Sequence, residues 1–275
     1  MRKAEQGFDM ATEGGLRALL GPFSLLILIY LVWFLRYLVW PLFGFAEHLF
    51  LMLSVSYVLV LALSLVFLKK DAKRAFSEFF SKRSSGVIPV ALVFAVIFQA
   101  VWLTISLTIG GDLDLLAFPS LRGYEDYAVV SLSSAFILYS VFAVFGAFVE
   151  EVAFRGYVQS RIASKFGRVA SVALASLLFS LQHIHIFQWD WILHFLQTQF
   201  IYVFCFGIFV GYFFFKSGEA LWGVCVFHAL MNIFNVALPI KVTYSFPFAA
   251  QVATIASFAF MILLLRFIPI EETVQ

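Results

Sequence analysis

Apolar residues run almost unbroken through most of the chain, interrupted at regular intervals by short polar clusters. Continuous stretches long enough to cross a bilayer as helix, about 20 residues each, fall near 19–42, 49–68, 87–109, 128–149, 169–187, 191–215, 219–240 and 246–265. The runs are continuous and do not alternate, so the pattern predicts helices and excludes a membrane β-barrel. The expected fold is all-α: a polytopic bundle of about eight transmembrane helices forming a single domain over 1–275, with the core helices between 128 and 240. No internal repeat is visible, and neither half reads as an inverted copy of the other, which argues against the common transporter architectures.

Composition agrees. Of 275 residues, 63% are apolar and only 12% charged, where a soluble domain carries about a quarter charged residues. A water-soluble enzyme and a nucleic-acid binder are excluded on that ground, and a net charge of +2 gives no field for a polyanionic partner. The first apolar run is too long for a removable signal peptide and lacks a small-residue cleavage site.

Charge placement orients the bundle. With eight spans, 15 of the 18 Lys and Arg fall on the side of the termini, leaving Arg36, Arg122 and Lys241 on the other. The positive-inside rule then puts both termini in the cytoplasm. The segment KKDAKRAFSEFFSKRSSG, starting at Lys69, is basic and amphipathic and suits the cytoplasmic surface of an anionic bilayer. The acidic stretch with Asp112, Asp114, Glu125 and Asp126 faces the opposite compartment. Short loops favour a prokaryotic plasma membrane over the endoplasmic reticulum.

Ionisable groups at membrane depth are costly, so each is a functional candidate. Glu150 and Glu151 end the fourth run, His183 lies in the fifth and His228 in the seventh. Counted from a turn at Gly167, Glu150 and His183 sit at similar height on antiparallel helices, roughly 25 Å from that turn. Glu151 and Arg155 are four apart with the acid first, the favourable order for a helical ion pair. Glu150 is then turned about 100° away from that pair. His228 and Asn232, also four apart, put two hydrogen-bond donors on one face, as an oxyanion site requires. A deep carboxylate beside imidazoles suits water activation; proton or ion translocation and a purely structural polar network use the same residue types.

Other polar residues have plainer readings. His185 is about 200° around the helix from His183. His194, Asp190, Trp189 and Trp191 suit an interfacial belt, as do Glu47 and His48. Gly207 and Gly211 form a G-x-x-x-G whose commonest use is close packing within one chain, so no oligomer is inferred. Cys205 and Cys225 lie in apolar runs and suggest no disulfide. The 36 Phe residues are read mostly as lipid-facing or core residues.

Taken in order, E-E-x-x-x-R at Glu150, Glu151 and Arg155, F-x-x-x-H at Phe179 and His183, and H-x-x-x-N at His228 and Asn232 resemble the CAAX protease and bacteriocin-processing family, which includes the type II CAAX prenyl endopeptidases. The motifs cover 146–236. The resemblance implies an intramembrane glutamate endopeptidase with no obligatory metal or other cofactor, acting on prenylated or hydrophobic peptides. In it Glu150 activates the water with His183, His228 and Asn232 stabilise the oxyanion, and Glu151 with Arg155 supports the site or the substrate. Two alternatives stand beside it. A zinc hydrolase would use Glu150, His183 and His228 as ligands. A non-catalytic immunity or transport protein would use the Glu and His cluster for binding.

Overall fold

A computed structural model describes residues 2–39, 49–68, 86–115, 132–184, 189–237, 240–244 and 248–268. Among these, every apolar run read from the sequence is helical. The elements are α1 (Arg2–Val39), α2 (Leu49–Leu68), α3 (Ile88–Thr108), β1 (Gly111–Leu115), α4 (Leu132–Glu151), a π-helical segment (Val152–Gln159), α5 (Ser160–Leu181), α6 (Trp189–Thr198), α7 (Phe200–Lys216), α8 (Leu221–Ala237), β2 (Ile240–Tyr244) and α9 (Ala249–Phe267). The protein is an all-α polytopic membrane protein.

Among the described residues, four helical stretches are long and apolar enough to cross a membrane: Leu19–Arg36, Ile88–Thr108, Tyr139–Leu181 and Ala249–Phe267. A fifth joins α6 and α7 across a 60° bend. The 43 residues of Tyr139–Leu181 contain the expected turn: Gly167 adopts φ 79° and ψ 170°, a left-handed backbone that L-residues avoid. The fourth and fifth apolar runs are therefore successive helices joined at Gly167.

Outward faces carry exposed aliphatics such as Ile27, Val66, Val96, Val141 and Ile255, as contact with lipid requires. The core is aromatic. Phe94, Phe98, Phe154, Phe179, Phe206, Phe209, Phe213, Phe227 and Phe258 are all buried, with tight ring pairs at Phe98–Phe258 (4.5 Å) and Phe209–Phe227 (4.8 Å). These phenylalanines fill the space where α3, the π segment, α5, α7, α8 and α9 meet, so a large share of the aromatic content is core packing.

Three departures from the sequence reading bear on the site. The acidic stretch after α3 opens as a strand: β1 pairs antiparallel with β2, with Gly111 opposite Tyr244 and Leu115 opposite Ile240. The fifth apolar run stops being helical at Leu181, so His183 lies in the turn that follows, where Tyr30 of α1 donates to the carbonyl of Leu181. The helix bearing the glutamates widens into π geometry directly after Glu151. The basic stretch 69–85, Glu47, His48, Glu125, Asp126 and His185 lie outside the described residues.

Candidate active site

Four helices bring the motif residues together: α4 with its π continuation, the end of α5, α7 and α8. The closest pairings are α4 with α8 and α5 with α7. The α5–α7 contact depends on the two glycines. A Cβ at Gly207 would lie 2.9 Å from Ser176 Cβ, and one at Gly211 2.7 Å from Gln159 Oε1. Both distances are shorter than real Cβ contacts, so only glycine lets α7 approach. That approach exposes backbone carbonyls of α7 to side chains of the π segment. Arg155 Nη2 donates to Gly207 O (3.3 Å), and Gln159 Nε2 to Gly211 O (2.9 Å). The G-x-x-x-G thus serves packing within the chain and also provides two acceptors.

Arg155, 1% exposed, is held from three sides. Its Nη1 donates to Glu151 Oε1 (3.3 Å), its Nε lies 3.2 Å from Glu151 Oε2, and its guanidinium sits 4.6 Å from the Phe179 ring centre. The spacing argument thus finds its ion pair, although the backbone there is wider than an α-helix. Side chains four apart still face nearly the same way in that wider turn.

Glu151 has a second partner that spacing along one helix does not reveal. His228 Nδ1 on α8 stands 2.7 Å from Glu151 Oε1. A carboxylate paired with Arg155 only accepts hydrogen bonds, so Nδ1 carries the proton and Nε2 is the free end of the ring. That free end lies 3.8 Å from Glu150 Oε2. One imidazole therefore stands between two adjacent glutamates: Glu151 is sealed off, whereas the Glu150 side chain remains 14% exposed. The step of about 100° between neighbouring residues on a helix gives them these different surroundings.

His183 is oriented by the same device. Its Nδ1 lies 2.8 Å from the carbonyl of Phe179, an obligate acceptor, which again leaves Nε2 as the working nitrogen. Phe179 flanks both imidazoles, with ring centres 4.9 Å from His183 and 5.9 Å from His228, and Phe195 stacks on the other face of His183.

His183, His228 and Asn232 line one cavity of about 510 Å³ together with Phe98, Gln99, Trp102, Phe179, Thr198, Gln199, Tyr202, Val203, Phe206, Asn235, Ala250 and Thr254. That size suits a small molecule or a short peptide. Glu150 is not part of this lining and meets it at His228 Nε2. Glu151 and Arg155 are buried away from it. The lining contains no Asp, Glu, Lys or Arg. Among the described residues, no three His, Cys, Asp or Glu side chains are grouped as a metal ion requires.

The type II CAAX prenyl endopeptidase Rce1-like family model matches residues 132–234, a stretch that holds every motif residue described above. Over that segment the chain is similar to the CAAX protease family. No curated protein matches the chain. The family segment includes α4 to α8 nearly complete but not α3 or α9, which supply Phe98, Gln99, Trp102, Ala250 and Thr254 to the cavity. Sequence reading did not single out these residues, nor Gln199, Tyr202 and Asn235. The available signal was an isolated carboxamide in an otherwise apolar run, as at Gln99 in AVIFQAVW.

Proposed function

We propose that this protein is a member of the CAAX protease family, an intramembrane glutamate endopeptidase that removes the C-terminal tripeptide from prenylated CAAX-type substrates. The observation that carries the reading is the imidazole of His228, fixed by Glu151 on one side and presenting Nε2 to both Glu150 and the cavity. A structural polar network needs no group left free at a cavity wall.

In the proposed reaction, Glu150 accepts a proton from water as its oxygen attacks the scissile carbonyl carbon, with His183 Nε2 holding that water. Negative charge moves to the carbonyl oxygen. Asn232 Nδ2 donates to it, and so does His228 Nε2 when the ring carries a second proton. The C–N bond then breaks, and the proton held by Glu150 passes to the departing amine. Each step stays on groups of this chain and uses no metal. The substrate enters from the cytoplasmic side or laterally between helices, in a prokaryotic plasma membrane with the termini and the Gly167 turn cytoplasmic.

The test is cleavage of a fluorogenic farnesylated CAAX peptide by purified full-length protein in detergent, with Glu150→Ala and chelator-treated wild type in parallel. Cleavage that survives a strong zinc chelator and disappears in Glu150→Ala is expected. Activity lost to the chelator and restored by zinc would establish the metal alternative, and absence of cleavage by wild type would overturn the protease reading.

A further inference from the structure

α3 is an apolar helix whose polar side chains are almost all accounted for locally. Thr104 and Thr108 donate to carbonyls one turn back (2.8 Å each), and Ser106 hydrogen-bonds the hydroxyl of Tyr244 (2.8 Å). Gln99 differs. Its hydrogen bond among the described residues runs from Nε2 to the sulfur of Met231 at 3.7 Å, a weak acceptor. Among the described residues its Oε1 has no hydrogen-bond partner. It is also not one of the sealed oxygens without a hydrogen bond, such as Gln159 Oε1 and Gln251 Oε1. It therefore stays open to whatever occupies the cavity that Gln99 lines.

The position narrows what it can meet. Met231 precedes Asn232 on α8, so Gln99 faces the helix that carries the proposed oxyanion donors and shares their cavity wall. An extended peptide held there presents backbone N–H groups, each of which loses its water and needs an acceptor. The two histidines donate through Nδ1 to Glu151 and Phe179, their Nε2 atoms are assigned to the water and the oxyanion, and Asn232 is assigned as a donor. Gln99 Oε1 is the carboxamide oxygen that α3 brings to the opposite side. A carboxamide suits this role better than an acid, since it accepts without putting an unpaired charge beside an uncharged wall.

We infer that Gln99 is a substrate-positioning residue whose Oε1 accepts a hydrogen bond from a backbone N–H of the bound peptide, so that a helix outside the family-matched segment supplies part of substrate recognition. The inference rests on the cavity being the peptide site of the proposed protease.

Binding is measured so that it does not depend on turnover. A fluorescent farnesylated CAAX peptide is titrated against full-length Glu150→Ala protein, and against the same protein carrying Gln99→Leu or the near-isosteric Gln99→Met. Each removes the acceptor while keeping α3 apolar, and binding should weaken about tenfold, the scale of one neutral hydrogen bond. Peptides with an ester in place of each non-scissile amide of the terminal tripeptide then locate the donor. One ester should weaken binding to the Gln99 protein by a similar factor and have no further effect on the Leu variant. Unchanged affinity in both variants, ester and Gln99 losses that multiply at every position, or no binding by the Gln99 protein would each overturn the inference. The protease reading is judged separately, by whether the chain with Glu150 intact cuts the same peptide; binding without cutting would sink that reading and leave Gln99 as a ligand contact.

Discussion

Glu150 and Glu151 are chemically identical neighbours, and their surroundings give them opposite duties. Glu151 is fully buried against Arg155 and His228, while Glu150 retains some exposure beside the free nitrogen of His228. Glu150→Gln keeps the shape and removes the base, so cleavage should fall by about 10²–10⁴-fold with an unchanged melting temperature in detergent. Glu151→Leu should act on stability first. It strands a buried guanidinium, which costs about 3–5 kcal/mol, whereas adding Arg155→Leu removes that stranded charge and should restore much of the loss. Thermal unfolding of the single and double variants checks this; a double variant as unstable as the sum of the singles would count against it. At this scale the sequence was informative within one helix and silent between helices. Spacing alone paired Glu151 with Arg155 and separated Glu150 from them. The bond from His228 to Glu151 joins residues far apart in the chain, and only the packing of α8 on α4 brings it about.

The π segment, the break at Gly167 and the small-residue face of α7 decide how those side chains meet. π turns widen a helix locally and recur at functional sites. Here the widening spans Arg155 and Gln159, both of which reach carbonyls of α7. The apolar pattern could not announce it, because it is the same for an α and a π turn. The turn at Gly167 was legible, since a glycine within a basic cluster marks an end between two apolar runs. The α5–α7 contact should be intolerant of a single methyl group. Gly207→Ala forces α7 away from Ser176 and should lower stability by about 1–3 kcal/mol. Ser176→Gly removes the opposing Cβ and should recover part of it. Unfolding of the two variants and their combination decides the matter: no recovery would mean that Gly207 matters for a reason other than that contact.

Over the whole molecule, the family segment 132–234 supplies the proposed reactive groups, while α3 and α9 complete the cavity from either side of it in sequence. The helical and apolar character of the runs was readable from their length and composition, because bilayer thickness imposes it, whereas among the described residues only four helical stretches, or five with the bent pair, are long and apolar enough to span. The cavity was not readable, since its walls are set by which helices touch. Orientation gives a test at this scale. Lys165 and Asp112 are both exposed, and the proposed topology puts them on opposite faces. A cysteine replacing Asp112 should react with a membrane-impermeant maleimide in intact cells, and one replacing Lys165 only after permeabilisation; the reverse result would invert the topology. The short ribbon of β1 and β2 has a consequence for how the protein is made. Its strands flank the entire family-matched segment, with Leu115 before it and Ile240 after it. A chain emerging from the ribosome in order makes α3 and then carries β1 without its partner while every helix of that segment is synthesised. The edge of β1 is satisfied only as residues 240–244 appear, so the ribbon closes after those helices have been made.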